Sequence, residues 1–270
     1  MRIALIGGGV IARLLLQHLP RGGRGEAEVV AIAGRGEGSR GKVLAAEFGV
    51  PFVVGTAALV QSRPQVVVEA ASHDAVREHA EELLSNGIAV IVLSGGALAD
   101  DGLRERLERA AARGGRLYVP SGGIGGLDAL KAACAAGADE VRIAITKPPR
   151  AWKNIPFVER LGIDLDALTQ PVTLFAGTAR EGVPHFPANV NIAAVLALAG
   201  VGFDRTRLEV VADPALQFNT HFIRVKGATG TIDLRFENVP SAENPRTAML
   251  ACYSALAAVR EFSAPVRYGT

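Results

Sequence analysis

The chain has 270 residues, which suits one large fold or two modest domains. Hydrophobic residues make up 49% of it and charged residues 21%, so it can form a packed interior and has little reason to be extensively disordered. Its 29 lysines and arginines nearly balance 27 aspartates and glutamates, with no dense basic stretch interleaved with aromatic residues, which argues against a nucleic-acid partner and favours a small soluble ligand.

Short apolar runs rich in β-branched residues alternate with helical patterns through the first half of the chain. The runs predict strands over residues 3–6, 29–33, 66–69, 89–93 and 117–119. Apolar residues recur at spacings of three and four in the predicted helices, which cover residues 10–19, 39–48, 74–85 and 100–113. Because strands this apolar are buried on both faces, they require a parallel sheet covered by helices. We therefore predict an α/β fold with an N-terminal Rossmann-type, doubly wound domain over residues 1–120.

The pattern changes after Pro120, where the glycine-rich joint 121–126 leads into a predicted helix over residues 127–136. Most of the strands predicted beyond it follow one another without regular helices, at residues 141–146, 172–178, 208–212, 218–225 and 231–236. This arrangement predicts a second α+β domain with a mixed sheet over residues 121–245, which we expect to bind substrate, carry the catalytic groups and form a homodimer. A final helix, about residues 246–262 of the segment 246–270, is expected to pack back on the first domain.

A glycine turn follows the first predicted strand. Gly7, Gly9 and Ala12 complete a G-x-G-x-x-A pattern between that strand and the next helix. Gly7 permits a tight turn, Gly9 lets a pyrophosphate approach the backbone, and Ala12 lets helix and strand pack closely. Val10 and Ile11 belong to the same turn, and free N–H groups at a helix start bind phosphates. The turn predicts a nicotinamide dinucleotide; the alternative is a glycine turn that binds none.

The acidic residue that usually binds the ribose, about 20 residues beyond the motif, is missing. The second predicted strand is followed instead by Gly34-Arg35, and the nearest carboxylate, Glu37, already lies in the loop. Arg35 can pair with a 2′-phosphate or lie along the adenine, and the alternative is an ordinary solvated arginine. The cofactor is therefore expected to be NAD or NADP.

The cysteines and the lengths of the apolar runs indicate where in the cell the protein is expected to be. Cys134 and Cys252 lack the spacing of a metal site or a disulfide framework, so we expect no metal and reduced thiols. The first apolar run is too short for a signal peptide, and the run at residues 192–203 falls short of the roughly 18 residues that span a membrane. We expect a cytoplasmic protein without a membrane partner.

Several segments together resemble the L-aspartate dehydrogenase family over nearly the whole chain. In order they are VEAASH (68–73), SGGAL (94–98), SGGIGGLDAL (121–130), KPPRAW (147–152), NVNIAA (189–194), DP (213–214) and NTH (219–221). The chain departs from the family pattern at Gly8, Ala70 and Gly123, where many members have Cys, Cys and Ala, and in the loop 154–162.

The resemblance implies NAD(P)-dependent oxidation of L-aspartate to iminoaspartate, which hydrolyses to oxaloacetate and ammonia. Where quinolinate synthase takes the imine, the reaction supplies NAD biosynthesis. By the same resemblance, His221 matches the catalytic histidine. Asn191 and the residue at Gly123 or Ile124 match positions that contact the cofactor. For Asn191, a helix cap is the alternative.

Such an oxidation needs a group that titrates near neutrality, because the ammonium must lose a proton and water must be activated. His221, inside a predicted strand, is either this group or a structural histidine, and the resemblance favours the first. His73, just beyond strand 66–69, either contacts the substrate or caps the next helix. The remaining histidines are assigned ordinary surface or loop roles: His18, His79 and His185.

A dicarboxylic substrate also needs cationic anchors. Lys147 and Arg150, beside Trp152 in a loop after a strand, are the nearest candidates, and solvated charges beside two prolines are the alternative.

Two other functions stay open. One is an imine or semialdehyde reductase for another small carboxylate; the other is a dinucleotide sensor without turnover. Cys134 lies inside a predicted helix, which argues against chemistry through a thioester. The presence of both His221 and Asn191 argues against the sensor.

Overall fold

The computed structural model describes residues 1–19, 27–187, 189–244 and 247–266. The chain divides into two compact units, one formed by Met1–Pro120 with residues 252–266 and the other by Ser121–Ala251. Within the described ranges, no helix has both the length and the apolar character needed to cross a membrane.

The first unit contains a parallel sheet. Its strands are β1 (Arg2–Ile6), β2 (Glu28–Gly34), β3 (Phe52–Val54), β4 (Val66–Glu69), β5 (Ala89–Val92) and β6 (Arg116–Tyr118). All pair in parallel, in the order β3-β2-β1-β4-β5-β6. The order reverses direction between β1 and β4, which is the topology of a doubly wound Rossmann sheet. The predicted parallel sheet is confirmed.

Helices connect these strands and cover the apolar sheet. They are α1 (Val10–His18), α2 (Arg40–Phe48), α3 (Thr56–Gln61), α4 (His73–Ser85) and α5 (Asp101–Ala111), with a 3₁₀ turn at Gly95–Ala99. Side-chain caps fix two of the starts: Ser72 accepts a hydrogen bond from the N–H of Ala75, and Asp100 from that of Leu103. The pair β3 and α3 was not predicted, because three and six residues are too few to show a period.

His79 is buried, so its assignment to the surface is wrong. Its Nδ1 lies 2.8 Å from the Thr56 hydroxyl, which ties α4 to α3, and burial lowers the pKa of the imidazole. His18 is exposed at the end of α1, as expected.

The second unit contains a mixed sheet. Its strands are β7 (Ala138–Lys147), β8 (Val172–Thr178), β9 (Thr206–Ala212), β10 (Asn219–Gly227) and β11 (Gly230–Asn238), in the order β11-β10-β7-β9-β8. β7 and β9 are parallel and the other pairs are antiparallel, which confirms the predicted mixed sheet. The helices of this unit are α6 (Leu127–Ala135), α7 (Pro156–Glu159), α8 (Ala179–Gly182) and α9 (Asn191–Ala199), with 3₁₀ turns at Pro149–Trp152 and Val183–His185. The last helix, α10 (Met249–Ser263), starts in this unit and belongs for most of its length to the first.

The two faces of the second sheet differ. Alternate residues of β7, β9 and β10 are buried, and α6 and α9 pack on this face. The opposite face is partly exposed and carries ion pairs such as Arg224–Asp233, at 2.7 Å. From Cys252 onward, α10 belongs to the first unit, where Phe262 meets Tyr118 edge to face at 5.7 Å. The predicted start of this helix at 246 lies outside the described residues.

Candidate active site

The turn between β1 and α1 has the geometry that a dinucleotide phosphate requires. Gly7 has a φ of +109°, and a Cβ there would lie 2.8 Å from the carbonyl oxygen of Ala70, so only glycine fits. At Gly9 an added Cβ meets no described atom within 4 Å, so a ligand can approach the backbone there. Gly9 is also the N-cap of α1 and offers no side-chain acceptor, which leaves N–H groups of the first turn for an anion. The turn therefore fits the pyrophosphate of NAD or NADP.

The neighbouring residues of the turn have packing roles. A Cβ at Gly8 would collide with the backbone of Arg40 and Gly41 at the start of α2, which explains the third glycine. Ala12 is fully buried, whereas Val10 and Ile11 are half-buried. Arg35 is exposed immediately beyond β2, and its contact with the cofactor stays a prediction.

A buried carboxylate organises the loops that follow β4 and β5. Glu69 accepts hydrogen bonds from the N–H groups of Ala71 (2.7 Å), Ser72 (2.9 Å) and Ser94 (3.0 Å), and from the Ser94 hydroxyl (2.9 Å). Burial raises the pKa of Glu69, and these hydrogen bonds oppose that effect. His73 follows as the first residue of α4; because Ser72 caps that helix, the capping role considered for His73 is wrong.

In the second unit, polar residues replace apolar ones at one end of the buried sheet face. Asn219 and His221 lie on β10, Lys147 ends β7, Asn238 ends β11, and Asn189 precedes α9. Asn219 pairs with Asn238, and His221 pairs with Ile145, two residues before Lys147. We call these five residues the polar cluster. Asn238 also donates a 2.7 Å hydrogen bond to the Gly123 carbonyl, which ties the glycine-rich joint to the sheet.

Lys147 is only 3% exposed, so the alternative interpretation of this residue as a solvated surface charge is wrong. Its ammonium donates a 3.0 Å hydrogen bond to the main-chain carbonyl of Asn189 and lies 5.1 Å from the ring centre of Trp152. Trp152 is fully buried and donates from its indole nitrogen to the carbonyl of Val211. Arg150, by contrast, is exposed.

His221 is a buried, neutral imidazole. Burial and then the charge of Lys147 lower its pKa from 6.5 to about 3, and the Thr220 carbonyl opposes them. Although Nδ1 is buried, it has no hydrogen-bond partner among the described residues. Leaving such an atom without a partner costs about 1–3 kcal/mol, so a buried unpaired nitrogen is typical of a group that meets a ligand.

This low pKa predicts a pH-dependent contribution to stability. Above pH 6.5 the imidazole is neutral in both the folded and the unfolded chain; as the pH falls from 6.5 toward 3, only the unfolded chain takes up the proton. The free energy of unfolding of the wild type should therefore fall more steeply than that of His221→Gln, with the difference in slope rising toward about 1.4 kcal/mol per pH unit well below pH 6.5. Urea unfolding of both proteins between pH 7 and pH 5 measures the difference, and parallel curves would contradict it.

Three residues of the second unit are expected to contact the cofactor: Asn191, two residues after Asn189, and Gly123 or Ile124 in the glycine-rich joint. Asn191 is the first residue of α9 and half-buried; the N-cap is Val190, so the helix cap considered for Asn191 is wrong. Gly123 and Ile124 are buried. Cofactor contact at these three positions stays a prediction.

A cavity of about 240 Å³ lies next to the polar cluster. Asn219 belongs to both, and the polar side chains of Arg150, Gln217 and Asn244 line the rest of the cavity together with Pro148, Ala151 and Pro240. In the part of the chain that the structure describes, no group of three His, Cys, Asp or Glu residues could hold a metal ion.

A dinucleotide turn in a Rossmann unit and a buried histidine in a mixed-sheet unit define a two-domain NAD(P)-dependent oxidoreductase. The family model described as "Aspartate dehydrogenase, C-terminal" matches residues 128–262, and the one described as "Homoserine dehydrogenase, NAD binding domain" matches residues 7–120. The chain belongs to the aspartate dehydrogenase family. It is an oxidoreductase, and its cofactor is NAD or NADP.

Individual relatives agree with this assignment. The chain is 40% identical to an L-aspartate dehydrogenase of Methanosarcina acetivorans, with 100% of both chains covered. It is 45% identical to "L-aspartate dehydrogenase 2" of Bordetella pertussis, with 82% of each chain covered. The crystal structure of aspartate dehydrogenase from Thermotoga maritima superposes with a TM-score of 0.77 at 30% identity, over 100% of this chain and 99% of that one.

Proposed function

We propose that the protein oxidises L-aspartate with NAD or NADP to iminoaspartate, which water converts to oxaloacetate and ammonia, and that the reaction is reversible. The relatives named L-aspartate dehydrogenase support the substrate. The single observation that carries the chemistry is His221, a buried imidazole whose Nδ1 has no hydrogen-bond partner among the described residues.

His221 acts as the proton acceptor. The substrate ammonium must lose a proton before its lone pair can form the C=N bond, and a neutral imidazole can accept that proton. A bound dicarboxylate brings two negative charges, which offset the charge of Lys147 and raise the pKa of His221 from its low value in the unliganded protein. Once it has released this proton to solvent, the same nitrogen can activate the water that attacks the imine.

Cationic side chains hold the carboxylates of the substrate. Lys147 provides a buried ammonium within the polar cluster, and Arg150 provides a guanidinium at the cavity beside it. His73 stays a second candidate for substrate contact.

The N–H groups of the turn that includes Gly7, Gly9, Val10, Ile11 and Ala12 hold the pyrophosphate, with Arg35 at the adenosine end. A nicotinamide held there would supply the acceptor for the hydride of the α-carbon. Gly123 or Ile124, together with Asn191, contacts the cofactor from the second unit.

The proposal extends to the setting of the reaction. We place the protein in the cytoplasm as a homodimer formed through the second sheet, whose outer face is partly exposed. Where quinolinate synthase is present, it would take iminoaspartate toward NAD biosynthesis. This link rests on the proposed product.

The test is an absorbance assay of the reduced nicotinamide, with NAD or NADP and each common L-amino acid. We expect L-aspartate to increase the absorbance of the reduced nicotinamide with NAD, with NADP or with both. The other amino acids should give no increase above background. Measurable cofactor binding without turnover of any amino acid would instead support a sensor. Turnover of another small carboxylate in the reductive direction alone would support an imine reductase.

A further inference from the structure

The side-chain oxygen of Asn189 is a buried acceptor that the described residues do not use. The residue is 8% exposed, and its Oδ1 has no hydrogen-bond partner in the described part of the chain. Nδ1 of His221 is likewise buried and without a hydrogen-bond partner among the described residues. Lys147 interacts with both residues. The ammonium of Lys147 binds the Asn189 carbonyl at 3.0 Å, and its charge lowers the pKa of His221.

The main chain, rather than the side chain, fixes the position of Asn189. Its N–H donates a 2.9 Å hydrogen bond to the carbonyl of Phe186, while its own carbonyl accepts from Lys147. Phe186 is fully buried and meets the Trp152 ring edge to face at 5.7 Å. The backbone of Asn189 is therefore held in place, and its side-chain oxygen has no donor among the described residues, which leaves that oxygen for a ligand donor.

We propose that Asn189 accepts a hydrogen bond from the amino group of the substrate and thereby selects amino acids over 2-hydroxy acids. The proposal rests on the proposed function, because it assigns a partner to Asn189 in that reaction. An amide oxygen can only accept, and of the polar groups of an amino dicarboxylic acid at neutral pH, only the amino group can donate.

The reaction itself strengthens this bond. When the Cα–H bond breaks, its electron pair leaves as hydride to the nicotinamide, and the nitrogen lone pair forms the C=N bond. The nitrogen then carries a positive charge and keeps two N–H donors, so its bond to Asn189 becomes charge-assisted in the transition state.

When a 2-hydroxy acid is oxidised, its ability to donate a hydrogen bond to Asn189 is lost instead of strengthened. Its single O–H proton must go to the base, and the product is a carbonyl oxygen that cannot donate. That oxygen would face the lone pairs of Asn189, so oxidation of the hydroxyl gains no such stabilisation.

Two substitutions test whether Asn189 acts as a hydrogen-bond acceptor for the substrate or has only a structural role. Asn189→Leu keeps the approximate shape and removes the acceptor, and Asn189→Asp keeps the acceptor. Succinate is the matched ligand, because it has both carboxylates of aspartate and lacks the amino group. Titration calorimetry with the reduced cofactor bound reports affinity without turnover.

For the wild type and Asn189→Asp we expect aspartate to bind more tightly than succinate. In Asn189→Leu, aspartate binding should weaken by about tenfold or more, and succinate binding should change by less than about twofold. Reduction of oxaloacetate to malate without ammonia should rise in Asn189→Leu relative to aspartate oxidation. The melting temperature should not fall, because the lost oxygen had no partner among the described residues.

The outcomes distinguish this inference from the proposed function. If the wild type prefers aspartate and Asn189→Leu keeps that preference, or if Asn189→Asp loses it as well, the role of Asn189 is wrong while aspartate oxidation can stand. If the wild type neither binds nor oxidises aspartate, the proposed function fails first.

Discussion

Replacing His221 with alanine is expected to lower kcat for aspartate oxidation by at least about a hundredfold, the usual size of a general-base contribution. Affinity for the reduced cofactor should stay within about twofold, because the glycine turn that fits the pyrophosphate belongs to the other unit. Steady-state kinetics and a fluorescence titration with NADH or NADPH measure the two quantities separately.

The control for this variant is His18→Ala, which removes an exposed histidine from α1 in the first unit. It should keep the wild-type kcat. Thermal unfolding of both variants checks that His221→Ala is folded at the assay temperature. A folded His221→Ala protein with wild-type kcat would show that the buried imidazole is structural.

Hydrophobic periodicity allowed much of the fold to be predicted. Nearly continuous apolar runs identified most strands of the first sheet, and the lack of regular helices between most of the later predicted strands identified the second sheet as mixed. Along β10, His221 and the buried Ile223 and Val225 share one face, so the histidine could be placed inward from sequence alone. The same period includes Asn219, but nothing in the local sequence identifies this residue as part of the site.

The rest of the polar cluster depends on tertiary packing. Lys147 follows the strand predicted over residues 141–146 and precedes two prolines, a context typical of a solvated lysine. In the structure it is the last residue of β7, and Trp152 and the Asn189 loop enclose it. Asn238 joins Asn219 only through the register of β10 and β11. No local pattern reveals such contacts, because the partners lie far apart in sequence. His79 was misplaced for the same reason: its charged neighbours suggested the surface, whereas Thr56 binds it from α3.

The second large effect is expected at Gly9, where the space above the backbone is open. In Gly9→Asp the backbone can keep its φ of −92°, which any residue adopts, and the new side chain meets no described atom within 4 Å of its Cβ. Aspartate is also among the best N-cap residues and carries a charge that the helix dipole favours. The variant should therefore be as stable as the wild type, or more stable by about 1 kcal/mol.

The same carboxylate occupies the position that an anionic ligand needs and repels its charge. We expect the affinity of Gly9→Asp for NADH and NADPH to fall by about a hundredfold or more, since two phosphates lose their N–H donors and meet a like charge. Gln61→Glu adds an equal charge at an exposed position of α3 and should bind the cofactor as the wild type does. Wild-type affinity in a stable Gly9→Asp protein would mean that the pyrophosphate binds elsewhere. A loss of affinity for NADH and NADPH at an unchanged melting temperature would show that Gly9 is needed to bind the cofactor and not to stabilise the fold.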